Sequence, residues 1–467
     1  MPLISTTGAL SVNKVGLGAS NQYWFLQWND NTFAVEDIAL DGSNQLFCTG
    51  GYQPSGFGFW INLKVNQDSG LPIIIWQKRF SGFTNLSGVA NYYNRYNNTI
   101  YNVGELNAVQ TADQSAGTII YNRDGTISGQ YIDNNQFYGA STTYPWIRNP
   151  DSVISDYTGD YWIAGIINEK PNSTTNRYLT YYSKFSGGTK IYGKVLIDAT
   201  AFPSGRNTPV RMQFTSAGDL LILFPIATAS SSTDITTLIN INPVTNTINW
   251  QIKWARPTGS TTYESVFTQD SSGNIYIGFY VLSGATAGVY LQKYTSAGAA
   301  VWTRKLTNAV FITDIKTDLN GYIYLVLQTT GANNNTIIKI DGNYNIQWQR
   351  IITTSSAGKS IGLAKIYCDK DNIYLLGGAS LPSGSAGSSA VIIKLPNDGA
   401  IPGTGTYVVS AALTVTYTSS SVVSFISGTL GVTSTGTISI ADATVRAYDP
   451  ISLGANTTIN TTTVTSL

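Results

Sequence analysis

From Phe311 to Ile351 the chain reads "FITDIKTDLNGYIYLVLQTTGANNNTIIKIDGNYNIQWQRI". The apolar runs are short, rich in β-branched and aromatic residues, and separated by Gly, Asn and Asp. That pattern predicts strands joined by tight turns: strand, Asp-x-x-Gly turn, strand, loop, strand, Asp-Gly turn, strand ending in Trp. Gly and Asn fall where a hairpin needs positive φ.

The unit recurs. "ESVFTQDSSGNIYIGFYV" (Glu264–Val281) continues to "VYLQKYTSAGAAVWTRKL" (Val289–Leu306), and "LAKIYCDKDNIYLLGG" (Leu363–Gly378) to "AVIIKLPNDG" (Ala390–Gly399). Upstream, "EDIALDGSNQLFCTGG" (Glu36–Gly51) leads into "FWINLKVNQDSGLPIIIWQKRF" (Phe59–Phe80). Weaker copies are "NNTIYNVG" (Asn97–Gly104), "DYTGDYWIAG" (Asp156–Gly165), and "SAGDLLILF" (Ser216–Phe224) with "LININPVTNTINW" (Leu238–Trp250). One column follows the second strand: Phe47, Tyr101, Trp162, Leu221, Tyr276, Tyr324 and Tyr374. Their spacing, roughly 48 to 61 residues, matches four-stranded propeller blades. A fourth-strand tryptophan column, Trp76, Trp250, Trp302 and Trp348, skips the second and third units. A unit of this size cannot bury a core alone, whereas radial stacking buries each unit between its neighbours, so a propeller is favoured over separate β-sandwiches. The expected fold is all-β, a seven-bladed propeller over residues 23–400, preceded by an N-terminal arm (1–22).

The start of the chain holds a fragment of the same pattern. Aligning Trp24 with Trp302 lays "YWFLQWNDNTFAVEDIALDGSNQLF" over "VWTRKLTNAVFITDIKTDLNGYIY", with a one-residue gap bringing "EDIALD" onto "TDIKTD". "YWFLQWN" then takes a fourth-strand slot, and the last unit lacks a fourth strand. Tyr23–Asn29 is therefore expected to pair with the strand around Ala390–Leu395 and close the ring, its tryptophans packing between blades. After "PNDGAIPGTG" (Pro396–Gly405) the composition turns rich in Ser, Thr and Val. Residues 401–467 are expected to form a small β domain or a strand-forming arm, used for oligomerisation or attachment, since uncharged strands with open edges associate.

Composition narrows the function. Charged residues are 11% of the chain against a typical ~25%, and the formal net charge is +1. No Lys/Arg cluster offers the basic stripe of a nucleic-acid binder, and no long apolar run predicts membrane insertion. The N-terminus lacks the basic start and apolar core of a secretory leader. The chain contains no histidine, which excludes Ser-His-Asp and Cys-His catalysis and His-ligated zinc or iron. Cys48 and Cys368 are expected to be buried thiols, although ring closure would bring their blades together and make a disulfide geometrically feasible.

Several stretches invite chemistry and have plainer explanations. "NPVTNTINW" (Asn242–Trp250) resembles the turn-plus-tryptophan signature of quinoprotein-type propellers, where the tryptophan docks blade to blade. "DKDN" (Asp369–Asn372) has calcium-like oxygens but occupies a hairpin turn and lacks a closing Glu. Glu36–Asp37, and Asp151 with Asp156, are the nearest carboxylate pairs, yet a glycosidase needs two carboxylates facing each other across a cleft. "GGYQPSGFGFW" (Gly50–Trp60) could stack sugars on Phe57 and Phe59, or simply pack them between strands. Sequons at Asn85 and Asn172 are expected by chance in an Asn/Thr-rich chain. No catalytic, cofactor or metal residue is assigned.

Repeats of the form D-x-x-G-N-I-Y-x-x-G … I-I-K-x-x-x-x-G-x-x-x-W-x-R, seen at Asp270–Gly278, at Asp318–Tyr324 with Ile337–Arg350, and at Ile392–Gly399, resemble β-propeller repeats of virion proteins from tailed bacteriophages, especially marine and cyanobacterial phages. The Ser/Thr-rich ending and the start "MPLISTTGAL" are similar too. The resemblance implies a non-enzymatic virion structural protein, tail- or fibre-associated and made in the host cytoplasm. It also implies virion proteins as partners, a homo-oligomer through the C-terminal segment, and a host surface glycan as a candidate ligand. The alternatives are a capsid-decorating protein, a secreted carbohydrate-binding propeller, and a polysaccharide-cleaving tailspike. The shared motif is structural and carries no functional residue with it.

Overall fold

The computed structural model describes the strands and tight turns between residues 12 and 400, with residues 406–410, 413–419, 423–427, 438–442 and 461–462; connections such as 53–58, 134–146 and 199–209 lie outside it. The chain is an all-β, seven-bladed propeller. The blades span residues 33–80, 85–133, 147–198, 211–255, 263–306, 309–354 and 361–396, numbered 1 to 7 in chain order. Each is an antiparallel meander whose first strand lies innermost. Blades 2 and 3 also touch through a single parallel pair, Ile147 opposite Gln114. Every residue of the expected second-strand column, Phe47 through Tyr374, lies in a second strand.

Both faces of a blade are apolar and are covered by the neighbouring blades. All residues of Ile275–Val281 and of Asn335–Ile340 are buried, as strands sandwiched on both faces should be. The outermost strand of blade 5, Ala300–Leu306, is mostly part-exposed. Successive interfaces each hold an apolar cluster. Val326, Ile337 and Ile352 of blade 6 meet Leu375 and Ile393 of blade 7. Blade 7 meets blade 1 through Tyr374, Leu376 and Ile392 against Val35, Ile38 and Leu46. Burying one such side chain fully stabilises by about 1.5–3 kcal/mol.

Polar residues of the repeat set the position of each blade. Asp318 at the start of its turn accepts the backbone N–H of Asn320 and of Tyr322, both at 2.9 Å, and its other oxygen takes the Tyr324 phenol at 3.0 Å. Asp270 does the same for Ser272, Asn274 and Tyr276. In "DKDN", Asp369 accepts from Asp371, Asn372 and Tyr374, so its oxygens close a turn. Burial, and then the neighbouring aspartate, raise the Tyr276 and Tyr324 phenols above their usual range and keep them as donors.

A lysine on the third strand stands opposite that second-strand aromatic. Lys64, Lys184, Lys293, Lys339 and Lys394 lie 4.9–5.9 Å from the ring centroids of Phe47, Trp162, Tyr276, Tyr324 and Tyr374, within cation–π range. Three of the ammonium groups reach the next blade and donate to a carbonyl in the turn that follows its third strand: Lys64 to Arg123, Lys293 to Gly342, and Lys339 to Asn397, each at 3.1 Å. The fourth-strand residues make the same crossing. Trp348 Nε1 donates to Asn397 O and Arg350 Nε to Gly399 O, while Trp250 Nε1 donates to Ser296 O. The latter two turns keep glycine because an aromatic ring occupies the Cβ position: a Cβ on Gly298 would lie 2.9 Å from Trp250 and one on Gly399 2.6 Å from Trp348. The third and second blades, which lack the tryptophan, use tyrosines. Tyr192 donates to Pro243 O, and Tyr131 fills the space over Gly188.

Trp24–Trp28 runs antiparallel to Ser388–Pro396, with Trp24 opposite Lys394 and Gln27 opposite Val391, and Val12–Gly16 pairs outside it. The side chains of Trp24 and Trp28 lie outside the described residues. Cys48 is buried, Cys368 half-buried, and both are free thiols, raised above the usual thiol range by burial. After residue 405 the described strands lie along outer blade edges. Leu413–Ser419 pairs with Ile346–Thr354, Phe425–Ser427 with Ala300–Leu306, Ile438–Asp442 with Thr189–Asp198, and Thr461–Thr462 with Ile73–Phe80. Val423 is buried beside blade 6, where Gln349 bonds both its N–H and its carbonyl.

Gly399 and Gly218 both hold left-handed φ, +78° and +86°, but no atom lies within 4 Å of a Cβ at Gly218. Gly218→Ala should therefore cost about 1–2 kcal/mol of backbone strain. Gly399→Ala should add the overlap with Trp348, about 1–3 kcal/mol more. Denaturant unfolding of the two variants side by side checks this; equal losses would mean that the ring contact does not constrain blade 7.

Candidate functional site

The innermost strands surround a central channel with a cavity of about 790 Å³. In blades 1, 2, 3, 6 and 7 that strand carries a β-bulge, at the steps Val35/Asp37, Gly88/Ala90, Pro150/Ser152, Ile312/Asp314 and Leu363/Lys365. A bulge re-aims the residues around it. Glu36, Asp37, Asp151 and Asp314 line the channel with Arg211, Lys316, Lys365 and Tyr367.

Three of the four carboxylates hold neighbouring blades together. Asp37, 7% exposed, accepts the backbone N–H of Asn91 in blade 2 at 2.7 Å. It also takes Lys365 Nζ at 3.0 Å and the phenol of Tyr367, both from blade 7. Asp151 accepts the N–H of Val210 at 3.1 Å, at the start of blade 4, and its neighbour Ser152 accepts that of Met212. Asp314, 1% exposed, accepts the N–H of Ile366 in blade 7 at 3.0 Å and Arg211 Nη1 from blade 4 at 3.1 Å. A buried carboxylate is stable only when its lone pairs are met in this way. The Tyr367 phenol is raised well above its usual range, first by burial and then by Asp37. Lys316 Nζ lies 5.6 Å from the centroid of its ring.

Glu36 differs from the other three. It is exposed to the channel and makes no hydrogen bond or ion pair among the described residues. Its pKa is raised by the loss of solvent around it and, to a lesser degree, by Asp37, with Lys365 opposing. The arrangement therefore offers one accessible carboxyl with increased proton affinity beside three acids already committed to hydrogen bonds. Among the described residues no group of acids and cysteines is placed to hold a metal ion.

The two carboxylate pairs read from the sequence fare differently. Glu36 and Asp37 both reach the channel, whereas Asp156 caps the first turn of blade 3, bonding Thr158 and Asp160, away from Asp151. The sequence reading left out Arg211, Asp314, Lys316, Lys365 and Tyr367. A signal was available: the alignment of "EDI" with "TDI" puts Asp37 and Asp314 in one column, and "AKI" of blade 7 places Lys365 there. Of the Gly50–Trp60 loop, Phe57 and the side chain of Phe59 lie outside the described residues.

No protein-family model matches the chain, and no curated protein matches it. Solved structures match its overall course. The polysaccharide lyase Uly1 is 9% identical, over 78% of this chain and 90% of its own, with a TM-score of 0.46. A mutant of the NanB sialidase from Streptococcus pneumoniae is 12% identical, over 85% of this chain and 72% of its own, with a TM-score of 0.39. A protein of unknown function from Bacteroides caccae is 9% identical, over 62% of this chain and 92% of its own, with a TM-score of 0.33. At these identities the likeness concerns the fold alone.

A carboxyl whose folded pKa lies above its unfolded one opposes folding once ionised; the penalty is absent below the unfolded pKa and complete above the folded one. Glu36 should behave so. Glu36→Gln should therefore leave the thermal midpoint near that of the unaltered chain at pH 4 and raise it above the unaltered chain at pH 7. Paired melts across that interval test this, and a gap that narrows with rising pH contradicts it.

Proposed function

We propose that this chain is a non-enzymatic virion structural protein of a tailed bacteriophage, tail- or fibre-associated, whose propeller is a rigid platform for host-surface binding. The observation that carries the non-enzymatic part is the use of the channel acids. Asp37, Asp151 and Asp314 each accept a backbone N–H from the next blade, which leaves Glu36 without a second free carboxylate for acid–base work among the described residues. The virion part rests on the resemblance of the repeats. Under this proposal the chain is made in the host cytoplasm, its partners are other virion proteins, and it acts without cofactor, metal or nucleic acid.

Two structural roles belong to the proposal. Trp24–Trp28 serves as the fourth strand of blade 7 and so joins the two ends of the propeller sequence, removing an open edge. The segment after residue 405 mediates oligomerisation or attachment. Its described strands are short and carry one charged residue, Asp442, and the edge pairing of Leu413–Ser419 on Ile346–Thr354 is a contact that a second copy can make equally well.

Mass spectrometry of purified particles should find the chain as a stoichiometric virion component, and particles assembled with a chain ending before residue 406 should lose it. Absence of the full-length chain from the particle overturns the virion assignment. Deletion of Tyr23–Asp30 should lower the thermal midpoint of the isolated protein markedly; a ring that melts unchanged has no need of that strand.

A further inference from the structure

In an antiparallel meander, the turns joining first to second and third to fourth strands emerge on the same face of the ring. These are the tight turns, and they provide an internal control. The residue after the turn-opening residue is Ser216 in blade 4, Ser271 in blade 5, Leu319 in blade 6 and Lys370 in blade 7. In blade 3 it is Tyr157, which is 73% exposed. The corresponding turn of blade 2 carries Tyr96, 63% exposed, beside Arg95. The two rings stand edge to face, with centroids 6.4 Å apart and planes at 77°. The Arg95 guanidinium lies 5.2 Å from the Tyr96 centroid. None of the four equivalent residues is aromatic, so the turn itself does not need an aromatic side chain here.

The supports beneath the rings are fixed. Asn94, 1% exposed, donates to Asp156 O at 2.6 Å and to Ser155 Oγ at 2.9 Å, while its own oxygen accepts the N–H of Tyr96. Tyr101 donates to Gly159 O at 3.0 Å. Asp156 holds the N–H groups of Thr158 and Asp160. Two turns from adjacent blades are therefore tied together from below while the tyrosines face outward. Such preorganisation reduces the ordering cost of binding.

We propose that Tyr96, Tyr157 and Arg95 form a glycan-binding subsite, with a pyranose ring stacking on the tyrosine corner and its hydroxyl or carboxylate oxygens accepting hydrogen bonds from Arg95. Aromatic rings offer an apolar face and a polar tip suited to a sugar. The exposed side chains of Asn97, Asn98 and Thr158 edge the corner with hydrogen-bonding groups. Arg95 already stands over Tyr96, which disfavours a cationic ligand in the same corner. The apolar floor is two rings wide and bordered by polar turns, far short of the ~800 Å² per partner that a stable protein interface buries. This names a site within the host-surface binding proposed above and rests on that reading for its biological setting; binding itself is a property of the isolated chain.

Saturation-transfer difference NMR on the full-length protein tests it, with methyl pyranosides of glucose, galactose, rhamnose and glucuronic acid as probes. Transfer to at least one of them is expected. The signal should be lost in Tyr96→Ala/Tyr157→Ala, reduced in Tyr157→Ser and unchanged in Leu319→Ala, an exposed apolar residue at the same turn position of blade 6. Unaltered thermal midpoints establish that the variants remain folded. No transfer to any probe, or transfer surviving in the double variant, overturns the subsite. Neither result bears on whether the chain belongs to a particle, which mass spectrometry decides separately.

Discussion

The structure depends on one constraint: a four-stranded sheet with two apolar faces cannot be soluble alone. Ile275–Val281 is buried throughout because blades 4 and 6 cover the two sides of blade 5. The ring satisfies this for every blade at once, since blade 7 packs on blade 1 as the others pack on their neighbours. Apolar packing is non-directional, however, and would tolerate sliding of one blade past the next. The polar parts of the repeat remove that freedom. A lysine held over an aromatic ring and an indole N–H meet the same turn of the following blade, as Lys339 and Trp348 both do at Asn397. The contacts are modest individually and gain from being made in low dielectric, where an unmet donor is costly.

The same division of labour extends to the channel. Apolar clusters fill the middle of the blades, tight turns and lysines fix the outer part of one face, and carboxylates fix the axis. Asp37, Asp151 and Asp314 sit where the innermost strands of adjacent blades converge and backbone N–H groups would otherwise lack partners. The three aspartates at the centre of this ring thus each have a structural partner in an adjacent blade. A channel rich in ionisable groups invites a catalytic interpretation, yet what distinguishes a catalytic acid is proton exchange with a substrate. An aspartate that accepts a backbone N–H and a lysine, as Asp37 does, already has its lone pairs committed to neighbouring blades.

Much of the architecture was legible because the repeat states it several times. The aromatic second-strand column, the Asp-opened turns and the fourth-strand tryptophans all occupy the expected slots. The lysines were visible in "IIK" but had no assigned role, because their partner is a backbone carbonyl in another blade and a carbonyl leaves no mark in sequence. The tryptophan gaps in blades 2 and 3 are filled in two ways: Tyr192 stands opposite Lys184, the slot that Trp302 holds opposite Lys293, whereas Tyr131 reaches over Gly188 from opposite Thr118, two residues past that slot. The channel cluster was the least legible part. Arg211 and Asp314 are 103 residues apart in the chain, and only ring geometry brings them together. Asp151 and Asp156, near in sequence, separate because one faces the axis and the other closes a turn.

Repetition also changes how an unusual residue can be judged. In a fold without repeats, an exposed tyrosine is unremarkable, since much of any protein surface is apolar. Here the same turn occurs in other blades with serine, leucine or lysine at its tip and closes through the same hydrogen bonds. The fold's requirement at that position is therefore known, and Tyr157 exceeds it. Tyr96 exceeds it in the adjacent blade, and the buried amide of Asn94 ties the two turns together. Two independent departures held at one fixed separation cannot be attributed to the needs of either turn. Trp302 and Tyr344 also meet edge to face across blades 5 and 6, but both are half-buried there; Tyr96 and Tyr157 differ in being mostly exposed, and it is this exposure on a fixed base that the proposed subsite uses.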